Sequence, residues 1–177
     1  KWENDLGQTQ FDIIVGNPPF QVSKSNKYEG SVGNRTLWDK FLDKTFKEDL
    51  IKSKGYLAFI NPSNWRRPEH RIYTLLTREN TLKYLHIYGK KDGQTLLGAQ
   101  TRFDLYIVQE GSPNKTQKTH IIDEKNKKHT LDVSSWPFLP NYSYTKIKSI
   151  MVPVTKGIPV IFSAGDYDAR KLSKKRT

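Results

Sequence analysis

The stretch FDIIVGNPPF, residues 11–20, decides how this chain is read. Mostly apolar residues, Phe11 to Val15, run straight into Asn-Pro-Pro-Phe. Neither Pro18 nor Pro19 has an N–H to give a β-ladder, so a strand cannot continue through them. Phe11 to Val15 therefore predicts a short buried strand, and Gly16 to Phe20 stands at its carboxyl end. That end offers an amide side chain, carbonyls held by fixed proline φ angles, and an aromatic ring.

Downstream, residues 21–36 (QVSKSNKYEGSVGNRT) are polar with two glycines. A loop this long in a small domain predicts a lid or binding loop. Leu37, Phe41, Leu42, Phe46, Leu50 and Ile51 fall near helical spacing, with Thr36 or Asn34 placed to cap the helix. Gly55 opens a second strand, Tyr56 to Ile60, which ends in NPSNWRRP. Pro68 and Glu69 suit the first turn of another helix, whose apolar face is Ile72, Leu75 and Leu76. TLKYLHIY (81–88) predicts a third strand and RFDLYIVQ (102–109) a fourth. GKKDGQTLLGAQ between them reads as a turn-rich connection without a helix, so those strands are expected as antiparallel neighbours. The series strand, helix, strand, helix, strand, strand predicts an open α/β sheet.

After Glu110 the composition shifts. GSPNKTQK reads as a linker, followed by short strand candidates (THIID, HTLDV, IPVIF) and the aromatic-rich SSWPFLPNYSY. The expected division is 1–111 and 112–177, the latter irregular and mostly β. The 177 residues carry no cysteine, which excludes a disulfide framework and cysteine-ligated metal and fits a reducing compartment. His70, His86, His120 and His129 show no metal spacing. No apolar run approaches the roughly 18 residues of a membrane span, and no secretory signal is visible. The first residue is Lys1, not Met, as expected for a piece of something longer. Net charge is +12, about +4 before residue 112 and about +8 after it. That surplus favours polyanions, nucleic acid first.

Ligands in open α/β sheets bind beyond the carboxyl ends of the strands. NPPF and NPSNWRRP both project there, so an amide, two aromatics and two arginines are expected around one crevice. An exocyclic amine on a planar base is a poor nucleophile, because its lone pair is delocalised into the ring. Two acceptors at its N–H groups would hold it and favour a tetrahedral nitrogen. The Asn17 side-chain oxygen is one acceptor and the Pro18 carbonyl, aimed by the Pro18-Pro19 backbone, the other. Phe20 would stack on the ring, a contact contributing about 1–3 kcal/mol per base. Lys24, Lys27, Arg35, Arg66, Arg67, Lys90 and Lys91 are candidate phosphate contacts, and KLSKKRT is a candidate nucleic-acid tail.

FDIIVGNPPF resembles the [DNS]-P-P-[FYW] catalytic motif of amino-group methyltransferases dependent on S-adenosylmethionine. The polar loop, Leu37-Trp38 with Phe41, and GYLAFINPSNWR are similar to the adenine-N6 DNA methyltransferases of restriction-modification systems, over residues 11–109. The resemblance implies that Asn17, Pro18, Pro19 and Phe20 form the catalytic motif. Asn17 and Pro18 would hold N6 of an adenine flipped out of double-stranded DNA and Phe20 would stack on it. Gly16 would allow close backbone approach. The methyl would pass from the sulfonium in an in-line displacement, with Asn17 at the edge of the cofactor site. The family's glycine-rich F-x-G-x-G segment is absent from KWENDLGQTQ. The chain then corresponds to the C-terminal half of a Rossmann-like methyltransferase sheet, its cofactor-binding half upstream of Lys1, followed by the start of a target-recognition region. The resemblance implies no metal, no membrane and the cytoplasm of a prokaryote, or a viral DNA compartment. The same motif serves methyltransferases of protein glutamine and of guanine N2 in ribosomal RNA, and a non-catalytic basic DNA-binding fragment is the remaining alternative.

Overall fold

The apolar segments lie side by side in one sheet. A computed structural model describes residues 10–21, 36–68, 70–114 and 116–151. Its strands are β1 (Phe11–Gly16), β2 (Ile51–Pro62), β3 (Thr81–Tyr88), β4 (Phe103–Gln109), β5 (Thr119–Ile122) and β6 (Lys128–Leu131), in the order β1-β2-β4-β3-β5-β6. Helix α1 (Trp38–Lys47) carries the chain between β1 and β2, which pair in parallel. Helix α2 (Arg71–Thr74), continued by a π-helical turn over Leu75–Glu79, precedes β3. Helix α3 (Lys90–Leu97) separates β3 from β4, and α4 (Tyr144–Ile150) follows β6. The expected open α/β sheet is what forms.

Alternation along the strands sets the core. Leu57, Phe59 and Asn61 of β2 face Val108, Tyr106 and Asp104 of β4, and all six are buried. Leu85 and Ile87 of β3 continue this face. Trp65, Ile72, Tyr73 and Leu76 are buried with them, as are Trp38 and Leu42 of α1. Each large apolar side chain buried this way stabilises by about 1.5–3 kcal/mol. Trp65 stacks on Tyr73 and meets Tyr106 edge-on. The Tyr73 hydroxyl donates to the Trp136 carbonyl at 2.9 Å and so ties residues 133–136 to the same layer.

Several expectations change. Phe11 to Val15 is an edge strand, not a buried one: Phe11 is 46%, Ile13 64% and Val15 76% exposed. An apolar strand reads as buried on both faces, but among the described residues β1 is the outermost strand and nothing covers Phe11, Ile13 and Val15. The connection 89–100 contains α3, whose helical character is hidden by a glycine in its middle. Asp92 accepts the Gly89 N–H at 2.8 Å, and Gly98 closes the helix at φ 67°. The third and fourth strands are nonetheless antiparallel neighbours, as expected. At the start of α1, Leu37 occupies the cap position, and the Thr36 hydroxyl bonds Asp39 instead. Asn34 lies outside the described residues, as does IPVIF. THIID and HTLDV form β5 and β6, and β5 pairs in parallel with β3. The sheet therefore runs on across residue 111.

By its contacts the chain divides into Lys1–Tyr144, which holds the whole sheet, and Thr145–Thr177. Within the latter, the described residues carry the body of α4.

Candidate active site at the carboxyl edge of the sheet

Asn17 to Phe20 leave β1 at its carboxyl end and are pinned at once. The Phe20 carbonyl accepts the Leu37 N–H at 3.2 Å, and Gln21 bridges Thr36. The two ends of the polar loop therefore meet directly behind the NPPF segment. Gly16 meets a real steric limit there: a Cβ would lie 3.1 Å from the Phe59 ring. Pro18 is buried, Phe20 half-buried, and Asn17 and Pro19 are exposed. Among the described residues no hydrogen bond engages the Asn17 amide, so its oxygen is available as an acceptor.

Asn17, Pro18, Pro19 and Phe20 line a cleft of about 230 Å³, closed on the other side by Leu97, Ala99 and Thr101. Those last three come from the end of α3 and the segment into β4, a wall that sequence reasoning missed. The available signal was topological, since a connection between antiparallel β3 and β4 must return to the same sheet edge. Gly93 seats this wall, because a Cβ there would lie 2.0 Å from the Thr101 carbonyl oxygen. Among the described residues no ionisable side chain lines the cleft. It can take a flat group between Phe20 and the Leu97–Thr101 wall and offer it the Asn17 amide oxygen, and its described walls hold no general base.

NPSNWRRP does not face this cleft as expected. Trp65 is fully buried and belongs to the core. Arg66 is 4% exposed, and its guanidinium is engaged inside the protein. Its Nε donates to Asp104 at 2.7 Å, one terminal nitrogen to the Leu139 carbonyl at 2.7 Å, and the other to the Asn141 side chain at 2.8 Å. A phosphate contact by Arg66 is therefore ruled out by the fold; the residue clamps β2 and β4 to the 139–141 segment. Burial pushes the Asp104 carboxyl up, against the opposing pull of Arg66. The Asn61 amide beside it accepts from the Tyr106 hydroxyl.

Arg67 is exposed at the end of the 3-10 turn Ser63–Arg66. Lys90 and Lys91 are exposed at the start of α3. All three stand at the carboxyl edge. Lys24, Lys27 and Arg35 lie outside the described residues, as does the KLSKKRT tail. Among the described residues no cluster of metal-ligating side chains occurs, and no helix is long and apolar enough to cross a membrane.

Open α/β sheets bind their ligands beyond the carboxyl ends of the strands, which is where this cleft lies. Residues 1–93 match the Eco57I restriction-modification methylase family, more than half of the chain. The chain belongs to that methyltransferase family. It is 26% identical over 138 residues to a protein of Mycoplasma pneumoniae described as an uncharacterized adenine-specific methylase, covering 75% of this chain and 32% of that one. It thus spans about a third of the length of the curated relative it matches. Among solved structures, the M protein of the type I restriction enzyme EcoKI superposes with a TM-score of 0.48 at 15% identity, over 67% of this chain and 26% of that one. The type I methyltransferase subunit of Streptococcus thermophilus gives 0.47 at 15% identity, over 76% and 32%.

Proposed function

We propose that this chain carries the acceptor-holding part of an adenine-N6 DNA methyltransferase of a restriction-modification system. It would receive a base flipped out of double-stranded DNA and methylate it from S-adenosylmethionine. The observation that carries this is the cleft itself: Asn17 with an unengaged side-chain oxygen, the proline backbone beside it, and Phe20 against an apolar wall. The Asn17 oxygen and the Pro18 carbonyl accept the two amine protons and hold the nitrogen pyramidal, while Phe20 stacks on the base. This is catalysis by positioning, consistent with a cleft whose described walls carry no ionisable side chain. The M. pneumoniae relative's description and the net charge of +12 support adenine in DNA as substrate.

The described residues do not fit the cofactor. A cleft of about 230 Å³ is smaller than the roughly 300–1,000 Å³ usual for small-molecule sites. It also has no carboxylate for a ribose and no glycine-rich turn. Asn17 reaches only the margin of such a site. The cofactor half is assigned to a neighbour of β1, which is outermost among the described strands and leaves Ile13 and Val15 exposed on one face. Residues 112–177 then begin the target-recognition region, growing from the opposite side of the sheet through β5 and β6.

In the intact protein, Asn17→Ala is expected to reduce methyl transfer to duplex DNA by at least about a thousandfold while leaving DNA affinity within severalfold. Digesting the product to nucleosides identifies the acceptor. An active Asn17→Ala protein contradicts the mechanism, and methyl-glutamine or a methylated guanine as the product contradicts the substrate.

A further inference from the structure

The β5–β6 hairpin stands at the same sheet edge as the cleft. Parallel pairing of β5 with β3, Leu85 opposite Ile121 and His86 opposite Ile122, sends both strands toward that edge. β3 is followed there by Lys90 and Lys91 at the start of α3, and β5 by the turn Asp123–Lys127. The turn is held from within. Asp123 Oδ1 accepts the N–H groups of Lys125 at 2.8 Å and Lys127 at 3.0 Å, and its Oδ2 lies 2.9 Å from His129 Nε2. Asn126 takes the left-handed conformation at φ 59°. Glu124 is paired with Arg102 at 3.1 Å, and its N–H donates to the Asn141 carbonyl at 2.9 Å.

Both carboxylates of the hairpin are thus consumed internally, and the lysines are left facing out. Lys125, Lys127 and Lys128 are all exposed, and the Lys125 ammonium lies 4.3 Å over the ring of Tyr142. Among the described residues no carboxylate lies within ion-pair reach of these three lysines. A run of lysines on a mobile tail is usually just solvated; these are fixed on a braced turn. From β1 to β5 the sheet takes four steps, about 19 Å at about 4.8 Å per strand. For a duplex laid along this edge, that offset corresponds to about six base pairs at 3.4 Å each.

We propose that the β5–β6 hairpin, through Lys127 and Lys128 with Lys125 beside them, is a phosphate-gripping element that holds the DNA backbone about six base pairs from the base in the Asn17 cleft. This rests on the reading of the cleft as a DNA methyltransferase site. Backbone contacts of this kind carry no sequence information, so their loss weakens cognate and unrelated duplexes alike.

The test is the affinity of the intact protein for a fluorescein-labelled duplex by anisotropy, between about 50 and about 200 mM salt. Lys127→Ala with Lys128→Ala should lower the slope of log affinity against log salt by about 1.8, at about 0.9 per phosphate. The loss should be equal for two unrelated sequences. The Lys→Gln pair should behave identically, and it guards against a folding defect because the turn is held by backbone and Asp123. Lys47→Ala with Lys54→Ala, at the opposite sheet edge, should leave the slope unchanged. If wild type binds duplex DNA and both hairpin pairs keep its slope, the hairpin proposal is overturned and the methyltransferase reading stands. If wild type does not bind duplex DNA at about 50 mM salt, the DNA reading falls and the hairpin proposal falls with it.

Discussion

The Arg66 guanidinium reaches Asp104, 38 positions away in the chain, and both groups are buried. Attraction between two such charges is strong, but so is the cost of taking them out of water, and the pair's net value is small. Removing one partner is different, since the other charge stays behind. Arg66→Met should therefore cost about 3–5 kcal/mol of unfolding free energy, read from urea unfolding. Arg67→Met, at an exposed position, should change stability by less than about 0.5 kcal/mol. Equal effects would contradict the assignment of Arg66 to the interior. Nothing local in NWRRP separates the two arginines, because burial is decided by Asp104, Leu139 and Asn141, which the fold brings in from far along the chain. Asn17 was legible for the opposite reason. Its placement follows from a strand that must end at Pro18, which is a local constraint.

Helix α3 packs against the segment into β4 through its glycine, Gly93, where the backbones come closest. A Cβ at Gly93 would lie 2.0 Å from the Thr101 carbonyl oxygen. Gly93→Ala should push α3 off its seat, cost about 1–3 kcal/mol, and displace Leu97, Ala99 and Thr101 from the cleft. Single-turnover methylation by the intact protein should slow with it. Gly98→Ala provides the contrast: φ is 67° there but nothing lies within 4 Å, so it should cost about 1–2 kcal/mol and leave the methylation rate alone. A Gly93→Ala protein transferring at the wild-type rate would detach α3 from the site. The strands were legible from their apolar runs and turn residues. This helix was not, since two glycines within KKDGQTLLG mask its period and only contact with Thr101 explains Gly93. The hairpin supplies a pH prediction. Burial pushes Asp123 up, but hydrogen bonds from His129 and from the Lys127 and Lys125 N–H groups bring its carboxyl below the ordinary value. A carboxyl lowered in the folded state adds stability that is present above the unfolded value of about 3.9 and is lost as pH falls through the folded value. Stability should therefore drop in that acid range, and Asp123→Asn should flatten the drop. Unfolding followed at a series of pH values checks both.

At the scale of the molecule, the sheet has one covered face and one open side. The covered face was predictable, because helices between strands must pack back on the sheet. That β1 would be its edge was not, because FDIIV has the composition of a strand buried on both faces and composition cannot reveal a missing neighbour. The consequence is physical. Ile13 at 64% and Val15 at 76% exposure stand beside Phe11 at 46%, on a strand whose outer backbone groups have no ladder among the described residues. Such an edge templates pairing with another chain, and each of these side chains gains about 1.5–3 kcal/mol when covered. The 177-residue chain expressed alone should therefore self-associate through β1 with rising concentration in sedimentation velocity. Ile13→Lys with Val15→Lys should return it to a monomer, as lysines on an exposed edge strand blunt it. The same pair in the intact protein should do the reverse of rescue. If the cofactor half covers β1 there, two lysines would be forced under it, and melting temperature and methylation should both fall. A wild-type chain that stays monomeric, together with an intact protein indifferent to the two lysines, would show that β1 is a true outer edge and would remove the argument for a covering half.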